Sequence, residues 1–440
     1  MGARETALNV LIAARQEDGW SNGLLKTYIH RDRLEKRDAA LATRLCYGVV
    51  QNRYKLDFYL QQLLTGKVST LHPVIRDIMH LGVYQLMEMD KVPQSAAVNE
   101  SVYLAKKYCP KLKFAPGLIN GVLRNLIRQK DGLQEPTGWQ EKYSHPQALI
   151  DLLKSYVGKA RIEPMLKANN EAPDTVVQVN TLKNSAEDLM RQLEQEGVHA
   201  APHGWMENCL VLSGTGNLEN LPSFRDGLFY VQDAAAKLSV LCAQLPQAEI
   251  SVLDCCAAPG GKSFAAAIAM AGHGSITSCD VYDHKANLIA NGAQRLGLKN
   301  IRARQMDATK FAAQWEEKMD AVICDVPCSG YGIIRKKPDI RYKNLKEMEK
   351  LPDLQRQILW NQARYVRPGG VLLYSTCTLV RAENEQMVEA FLAEHLDFVL
   401  EKLALPAVFP ENETGMLALV PGEYDTDGFF IARLRRKACI

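Results

Sequence analysis

The sequence predicts a multidomain chain. An all-α N-terminal bundle and a small α+β subdomain precede a C-terminal α/β domain of doubly wound, Rossmann-like type. Three observations predict this. Apolar residues recur at helical spacing through the first third of the chain. Strand-like and helix-like patterns mix within a short central span. From residue 250 onward, short apolar runs alternate with helical patterns in a regular βαβ rhythm. The 440 residues leave room for two or three such parts. With 47% hydrophobic and 23% charged residues, the chain has the make-up of an ordinary soluble globular protein, and no apolar run approaches a membrane span.

Residues 1–135 read as helices. Ala3, Ala7, Val10, Leu11 and Ala14 follow one helical face, as do Leu41, Leu45 and Val49, and Val98, Val102 and Ala105. Thr65-Gly66, His72-Pro73, Val92-Pro93 and Ala115-Pro116-Gly117 break the helices apart. Arg31, Arg33, Lys36, Arg37, Lys106, Lys107, Lys111, Lys113, Arg124 and Arg128 fall on polar faces. This part holds 20 Lys+Arg against 13 Asp+Glu, while the remainder holds 33 against 37. A basic bundle fits a polyanionic partner; a solvated surface or a protein-docking face is the rival reading.

Lys130 to Trp139, polar and carrying Gly132, Pro136 and Gly138, reads as a linker. The α+β segment follows over about 145–232. Val176–Asn180, Cys209–Leu212 and Leu228–Val231 are its strands, and Asn184–Glu196 is a helix turning Leu189 and Leu193 inward. Asp233 is placed to cap the next helix, Ala234–Leu241.

The domain from 233 to 440 has strands at Ser251–Cys255, Ser275–Cys279, Ile301–Gln305, Ala321–Cys324, Val371–Tyr374 and Phe429–Ala432. Helical spacing separates them, as at Ala286, Ile289, Ala293 and Leu296. The strand at 371 starts after a Pro368-Gly369-Gly370 turn and ends in small polar residues before Cys377. In doubly wound sheets, ligands bind at the carboxyl ends of the strands. By position alone, however, Cys377 better suits an inert buried thiol. Eleven cysteines and an N-terminus without a secretory pattern point to a reducing, cytoplasmic setting. No Cys-x-x-Cys pair or zinc-ligand spacing occurs, so no metal is expected.

The first βα turn reads Asp254-Cys255-Cys256-Ala257-Ala258-Pro259-Gly260-Gly261-Lys262-Ser263. Small residues and two glycines let a ligand approach backbone at a helix N-terminus. Neither the Walker pattern nor Gly-x-Gly-x-x-Gly is present, because Cys256 stands where a phosphate loop needs glycine. Such a turn holds a nucleoside without cradling a pyrophosphate, which favours S-adenosylmethionine over NAD or ATP. Asp280, at the end of the second strand, can accept both ribose hydroxyls. Asp307, after the third strand, lies where an adenine amine would be.

The fourth strand ends Cys324-Asp325-Val326-Pro327-Cys328-Ser329-Gly330, which brings Asp325 and Cys328 to the same cleft as Cys377. A thiol beside a carboxylate suits methylation of a pyrimidine carbon. Carbon 5 of cytosine is a poor nucleophile until a thiolate adds at carbon 6. An acidic group near N3 or the exocyclic amine then stabilises the charge developing on the ring. The thiolate needs positive potential, for which Lys262 and the cofactor's sulfonium are the candidates. Arg335-Lys336-Lys337 and Arg341 follow closely and fit a nucleic-acid backbone. These considerations leave open which cysteine attacks.

Three stretches resemble the RNA 5-methylcytosine methyltransferases: Cys256 to Lys262, Asp325 to Gly330, and Tyr374-Ser-Thr-Cys377-Thr378 with Glu383-Asn384. Beyond these motifs, nearly the whole chain resembles the bacterial small-subunit ribosomal RNA methyltransferase B family. Tyr47-Gly48-Val49, Val92 to Glu100 and Asn120 to Arg124 match its NusB-like helical domain. Val179 to Lys183 and Val231-Gln232-Asp233 match its small RNA-recognition-like subdomain and junction. Asp427-Gly428-Phe429-Phe430 matches its closing strand. The resemblance implies a class I methyltransferase domain that uses S-adenosylmethionine, releases S-adenosylhomocysteine, and acts on 16S ribosomal RNA as a monomer. It implies Cys377 as nucleophile, Cys328 in product release and Asp325 beside the base. It implies cofactor contacts at Cys256, Ala257, Ala258, Pro259, Gly260, Gly261, Lys262, Asp280, Asp307 and Asp325. Val326, Tyr331, Lys337 and Ser263 depart from the usual pattern, and Tyr331 bears on the pocket. The alternative reading is a non-catalytic RNA-binding or ribosome-assembly protein with a vestigial cofactor pocket.

Overall fold

A computed structural model describes residues 1–16 and 21–438. The chain divides into two compact units: Met1–Asn170 with Ile334–Lys343, and Glu171–Ile333 with Asn344–Ile440. Among the described residues no helix is long and apolar enough to cross a membrane.

Unit 1 is helical. Helix Pro73–Glu88 starts on a proline, whose missing N–H costs nothing at a first helical position. It buries Ile75, Ile78, Met79, Leu81 and Val83. Helices Ala3–Gln16, Lys36–Gln51, Gln94–Tyr108 and Ala115–Gln129 surround it. Helix Ala115–Gln129 shows why the spacing was legible: Ile119, Val122, Leu123 and Leu126 are buried, while Arg124 and Arg128 on the opposite face are exposed. The polar stretch 130–139 is fastened to helix Arg53–Leu63. Gln62 and Gln134 exchange two hydrogen bonds (2.9 and 3.1 Å), and the Tyr59 hydroxyl donates to Glu135 at 2.8 Å. Helices Gln147–Val157 and Lys159–Ala168 also belong to this unit.

The returning segment Ile334–Lys343 corrects one expectation. Arg341 does not face a nucleic-acid backbone; it is 1% exposed and lies inside unit 1. Its Nη1 donates to the carbonyls of Gln51 (3.0 Å) and Ser144 (3.1 Å) and to Asn170 Oδ1 (3.0 Å). Its Nη2 donates to the Asn169 carbonyl at 3.3 Å. A guanidinium carries enough fixed donors to satisfy several carbonyls at once, and burial lowers its pKa to about 10. Of the neighbouring cations, Arg335 and Lys336 are half-buried and Lys337 is exposed.

Unit 2 contains two sheets. The smaller has β1 (Thr175–Val179), β2 (His199–Pro202), β3 (Cys209–Ser213) and β4 (Phe229–Val231), all antiparallel, in the order β2-β3-β1-β4. Helix Ala186–Gln195 is capped by the Ser185 side chain, and its Leu189 and Leu193 are fully buried, as the spacing predicts. Strand β2 was not predicted. It is an edge strand, mostly exposed and ending in proline, so it lacks an apolar run.

The larger sheet contains β5 (Ser251–Asp254), β6 (Ser275–Asp280), β7 (Ile301–Gln305), β8 (Met319–Asp325), β9 (Val366–Thr376), β10 (Phe398–Leu400), β11 (Met416–Leu419) and β12 (Phe429–Arg436). Its order is β10-β12-β9-β8-β5-β6-β7, with β11 also on β12. Strands β5 to β9 are parallel, and β12 runs antiparallel to β9. The chain goes from β5 to β6 on one side and returns to β8 on the other. That reversal is the switch point at which doubly wound sheets open a crevice. Strand β9 begins at Val366, before Pro368-Gly369-Gly370 rather than after it, and its pairing with β8 is irregular between Met319 and Ala321. Strands β10 and β11 are short outer additions without a strong sequence signal.

Candidate active site

The residues at the centre of the site, among them the predicted Asp325 and Cys377, sit at the ends of three adjacent strands. Asp254 ends β5, Asp325 ends β8, and Cys377 follows the last residue of β9. The β8–β9 register pairs Asp325 with Ser375. Two residues beyond Ser375, the Cys377 sulfur lies 3.1 Å from that of Cys328, and the Cys377 N–H donates to Cys328 Sγ at 3.3 Å. The hydrogen bond to Cys377 and burial push the Cys328 thiol well above the ordinary cysteine range.

Asp325 is held from both sides. Lys262 Nζ lies 2.6 Å from Oδ2, and the Ser375 hydroxyl donates to Oδ1 at 2.9 Å. The Lys262 ammonium also lies 5.0 Å from the centre of the Phe429 ring. Its charge is thus compensated directly by Asp325. Ser375 was not singled out in the sequence, because only the strand register reveals which side chain faces Asp325.

A second network fixes the two cysteine loops to each other. Glu383 Oε2 accepts from Ser329 N (2.9 Å) and from Gln355 Nε2 (2.8 Å), and Gln355 also donates to the Pro327 carbonyl (2.9 Å). The Ser329 and Thr378 hydroxyls bond at 2.6 Å. Asn384 accepts from the Thr376 hydroxyl (2.6 Å) and donates to the Thr378 carbonyl (3.0 Å). Gln355 is fully buried in helix Leu351–Ala363, far from any motif, and nothing local in the sequence marks it.

The cofactor-side residues line the neighbouring strand ends. Gly260 has φ of +115°, a conformation open to glycine, and a Cβ there would lie 2.3 Å from the Phe264 ring. Helix Gly261–Ala269 starts next. Asp280 ends β6; its Oδ1 accepts from Tyr282 N at 3.1 Å. The Met306 N–H donates to the Asp280 carbonyl (2.9 Å), which brings Asp307 beside the same strand end. Asp307 accepts from the hydroxyl (2.7 Å) and N–H (2.9 Å) of Thr309, and these bonds lower its pKa. Beneath the turn, Asp254 is wholly buried and accepts from Ser263 Oγ at 2.7 Å, with Ser278 Oγ 2.7 Å farther on. Burial, with the negative charge of Asp325 adding to it, raises the Asp254 pKa to about 7. Cys256 is half-buried and its sulfur lies 3.8 Å from that of Cys255. Among the described residues no His, Cys, Asp and Glu group could hold a metal ion.

Comparison with known proteins agrees with this architecture part by part. Residues 242–435 match the model for 16S rRNA methyltransferase RsmB/F, residues 1–128 the NusB family, and residues 145–219 the ferredoxin-like domain of RsmF/B-like methyltransferases. The chain is 36% identical to the probable ribosomal RNA small subunit methyltransferase B of Bacillus subtilis strain 168, over 99% of this chain and 98% of that protein. The ribosomal RNA small subunit methyltransferase B of Citrobacter koseri is 33% identical over 92% and 93%. The crystal structure of PH0851 superposes with a TM-score of 0.82 at 25% identity, over 99% of each chain. That of NSun6 from Pyrococcus horikoshii with SFG gives 0.59 at 23% identity, over 66% of this chain and 98% of that one, a likeness of fold. With its helical, ferredoxin-like and α/β parts in the matching order, the chain belongs to the RsmB/F family of 16S rRNA methyltransferases.

Proposed function

We propose that this protein transfers a methyl group from S-adenosylmethionine to carbon 5 of a cytosine in 16S ribosomal RNA, with Cys377 adding covalently to carbon 6. The observation that carries this reading is the Cys328–Cys377 sulfur pair, 3.1 Å apart, at the strand ends that also hold Asp325. A binding module has no use for two thiols and a clamped carboxylate at one cleft.

The cofactor turn fits the group. Gly260 makes the approach to the helix N-terminus close, and Asp280 ends the next strand with Oδ2 free of protein hydrogen bonds among the described residues. When bound, the cofactor supplies an electrophilic methyl on a sulfonium. The protein's own groups do the rest. The two sulfurs share one hydrogen bond, and that bond together with burial pushes the Cys328 thiol up. The likeness of Tyr374-Ser-Thr-Cys377-Thr378 to the family's motif supports Cys377 as the attacking group and Cys328 in the release step. Asp325, which Lys262 and Ser375 hold, receives the N–H side of the pyrimidine in this reading as the ring gains charge. Lys262 acts through Asp325, since their ion pair is direct.

The target base leaves its stack to reach such a cleft. Exposed Lys106, Lys111, Lys113, Arg124 and Arg128 of unit 1 suit the surrounding RNA backbone. The test is Cys377→Ala. It should abolish methyl transfer to 16S rRNA, read by bisulfite mapping, while S-adenosylhomocysteine still binds. Methylation by Cys377→Ala at the wild-type rate would remove the assigned nucleophile.

A further inference from the structure

Gln232 belongs to none of the roles above, yet it stands at the cofactor turn. It follows β4 and precedes Asp233, whose side chain accepts from Ala235 N and caps helix Ala234–Cys242. Its backbone is fixed by two bonds: its N–H donates to the Val176 carbonyl (3.2 Å), and its carbonyl accepts from Gln178 Nε2 (3.0 Å). The backbone is therefore fixed at this position, and the residue is only 9% exposed. Its amide lies against Gly261, the first residue of the nine-residue helix Gly261–Ala269. A Cβ on Gly261 would sit 3.0 Å from Gln232 Nε2 and 3.4 Å from Cδ. Oε1 is buried without a hydrogen-bond partner. A buried amide left unsatisfied is unfavourable, and such exceptions in a native structure call for an explanation.

We propose that the Gln232 amide binds the amino-acid end of the cofactor at the start of helix Gly261–Ala269. This rests on the S-adenosylmethionine reading above. The helix start carries partial positive charge and suits the α-carboxylate. The amide adds one group that donates to a carboxylate and one that accepts from an α-ammonium. A zwitterion offers both, whereas a bare thionucleoside offers neither. Gly261 is the complementary part of the arrangement, since any side chain there would push the amide aside.

The experiment measures binding by calorimetry, with S-adenosylhomocysteine and with 5′-methylthioadenosine, which lacks the amino-acid part. For Gln232→Leu the affinity for S-adenosylhomocysteine should fall about tenfold, with 5′-methylthioadenosine within about twofold of wild type. Gln232→Glu, which keeps the shape but sets a carboxylate against the ligand's own, should show the same selective loss, so the test survives if Gln232→Leu does not fold. Equal losses for both ligands, or no loss in either variant, would overturn the assignment of Gln232 while leaving the cofactor reading intact. Failure of the wild-type protein to bind either ligand would overturn both.

Discussion

Cys328 and Cys377, forty-nine positions apart in the sequence, place their sulfurs 3.1 Å apart, with the Cys377 N–H also pointing at Cys328. Because β8 and β9 are parallel neighbours, the loops after them emerge on the same side, and the Glu383–Gln355–Ser329 bonds hold them there. The bond between the sulfurs, with burial, pushes the Cys328 thiol up.

Removing Cys328 should therefore separate bond formation from release. In Cys328→Ala, Cys377 can still add to the base, but turnover should fall roughly a hundredfold, in the range of a lost acid–base contribution. The adduct should appear as an RNA–protein band on a denaturing gel. Wild-type turnover with no band would remove the release role.

The clamp on Asp325 yields a graded prediction. Ser375→Ala deletes one hydrogen bond from a hydroxyl to the carboxylate and should lower kcat/KM about tenfold. Lys262→Met deletes the ion pair and should lower it by about 10² or more. Methyl-transfer kinetics on the same RNA check the order, and a larger effect from Ser375→Ala than from Lys262→Met would contradict it.

Much of this site was legible because strand ends carry their chemistry in short motifs. Asp254, Asp325 and Cys377 each sit where an apolar run stops, and five parallel strands followed from such runs. Contributions set by pairing or distant packing were not legible. Ser375 matters through the register with Asp325 and Gln355 through a helix 28 residues from Pro327; Glu383 stands in a recognised stretch, but its bond to Ser329 shows only in the fold. Arg341 misled because a basic run looks solvent-exposed unless its acceptors, from residues 51 to 170, are known. Strands β2, β10 and β11 escaped because short outer strands need no apolar alternation.

Asp254 should leave a signature in stability against pH. In the unfolded chain an aspartate ionises near pH 4, whereas in the folded protein it stays protonated up to about 7. Between these values the native state binds one more proton than the unfolded state. Stability contributed by this group is thus greatest at the acid end and falls as pH rises through the window, by up to about 4 kcal/mol. Asp254→Asn cannot ionise and should lose that slope. The check is the urea midpoint at pH 5 and pH 8 for both proteins; identical pH slopes would refute the prediction.

Arg341 and Arg128 should behave as opposites, although both were read as cations for RNA. Arg341 is buried and satisfies the carbonyls of Gln51, Ser144 and Asn169 together with the Asn170 side chain. Arg341→Met keeps most of the volume but strands those acceptors, so unit 1 should lose about 3 kcal/mol or more. Arg341→Lys should recover part of this, because an ammonium has three donors but not the planar fork. Arg128 is exposed on helix Ala115–Gln129. Arg128→Ala should leave the unfolding free energy within about 0.5 kcal/mol of wild type while weakening RNA binding and lowering its salt dependence. An unchanged midpoint in Arg341→Met would show that the buried guanidinium is not what holds the returning segment in place.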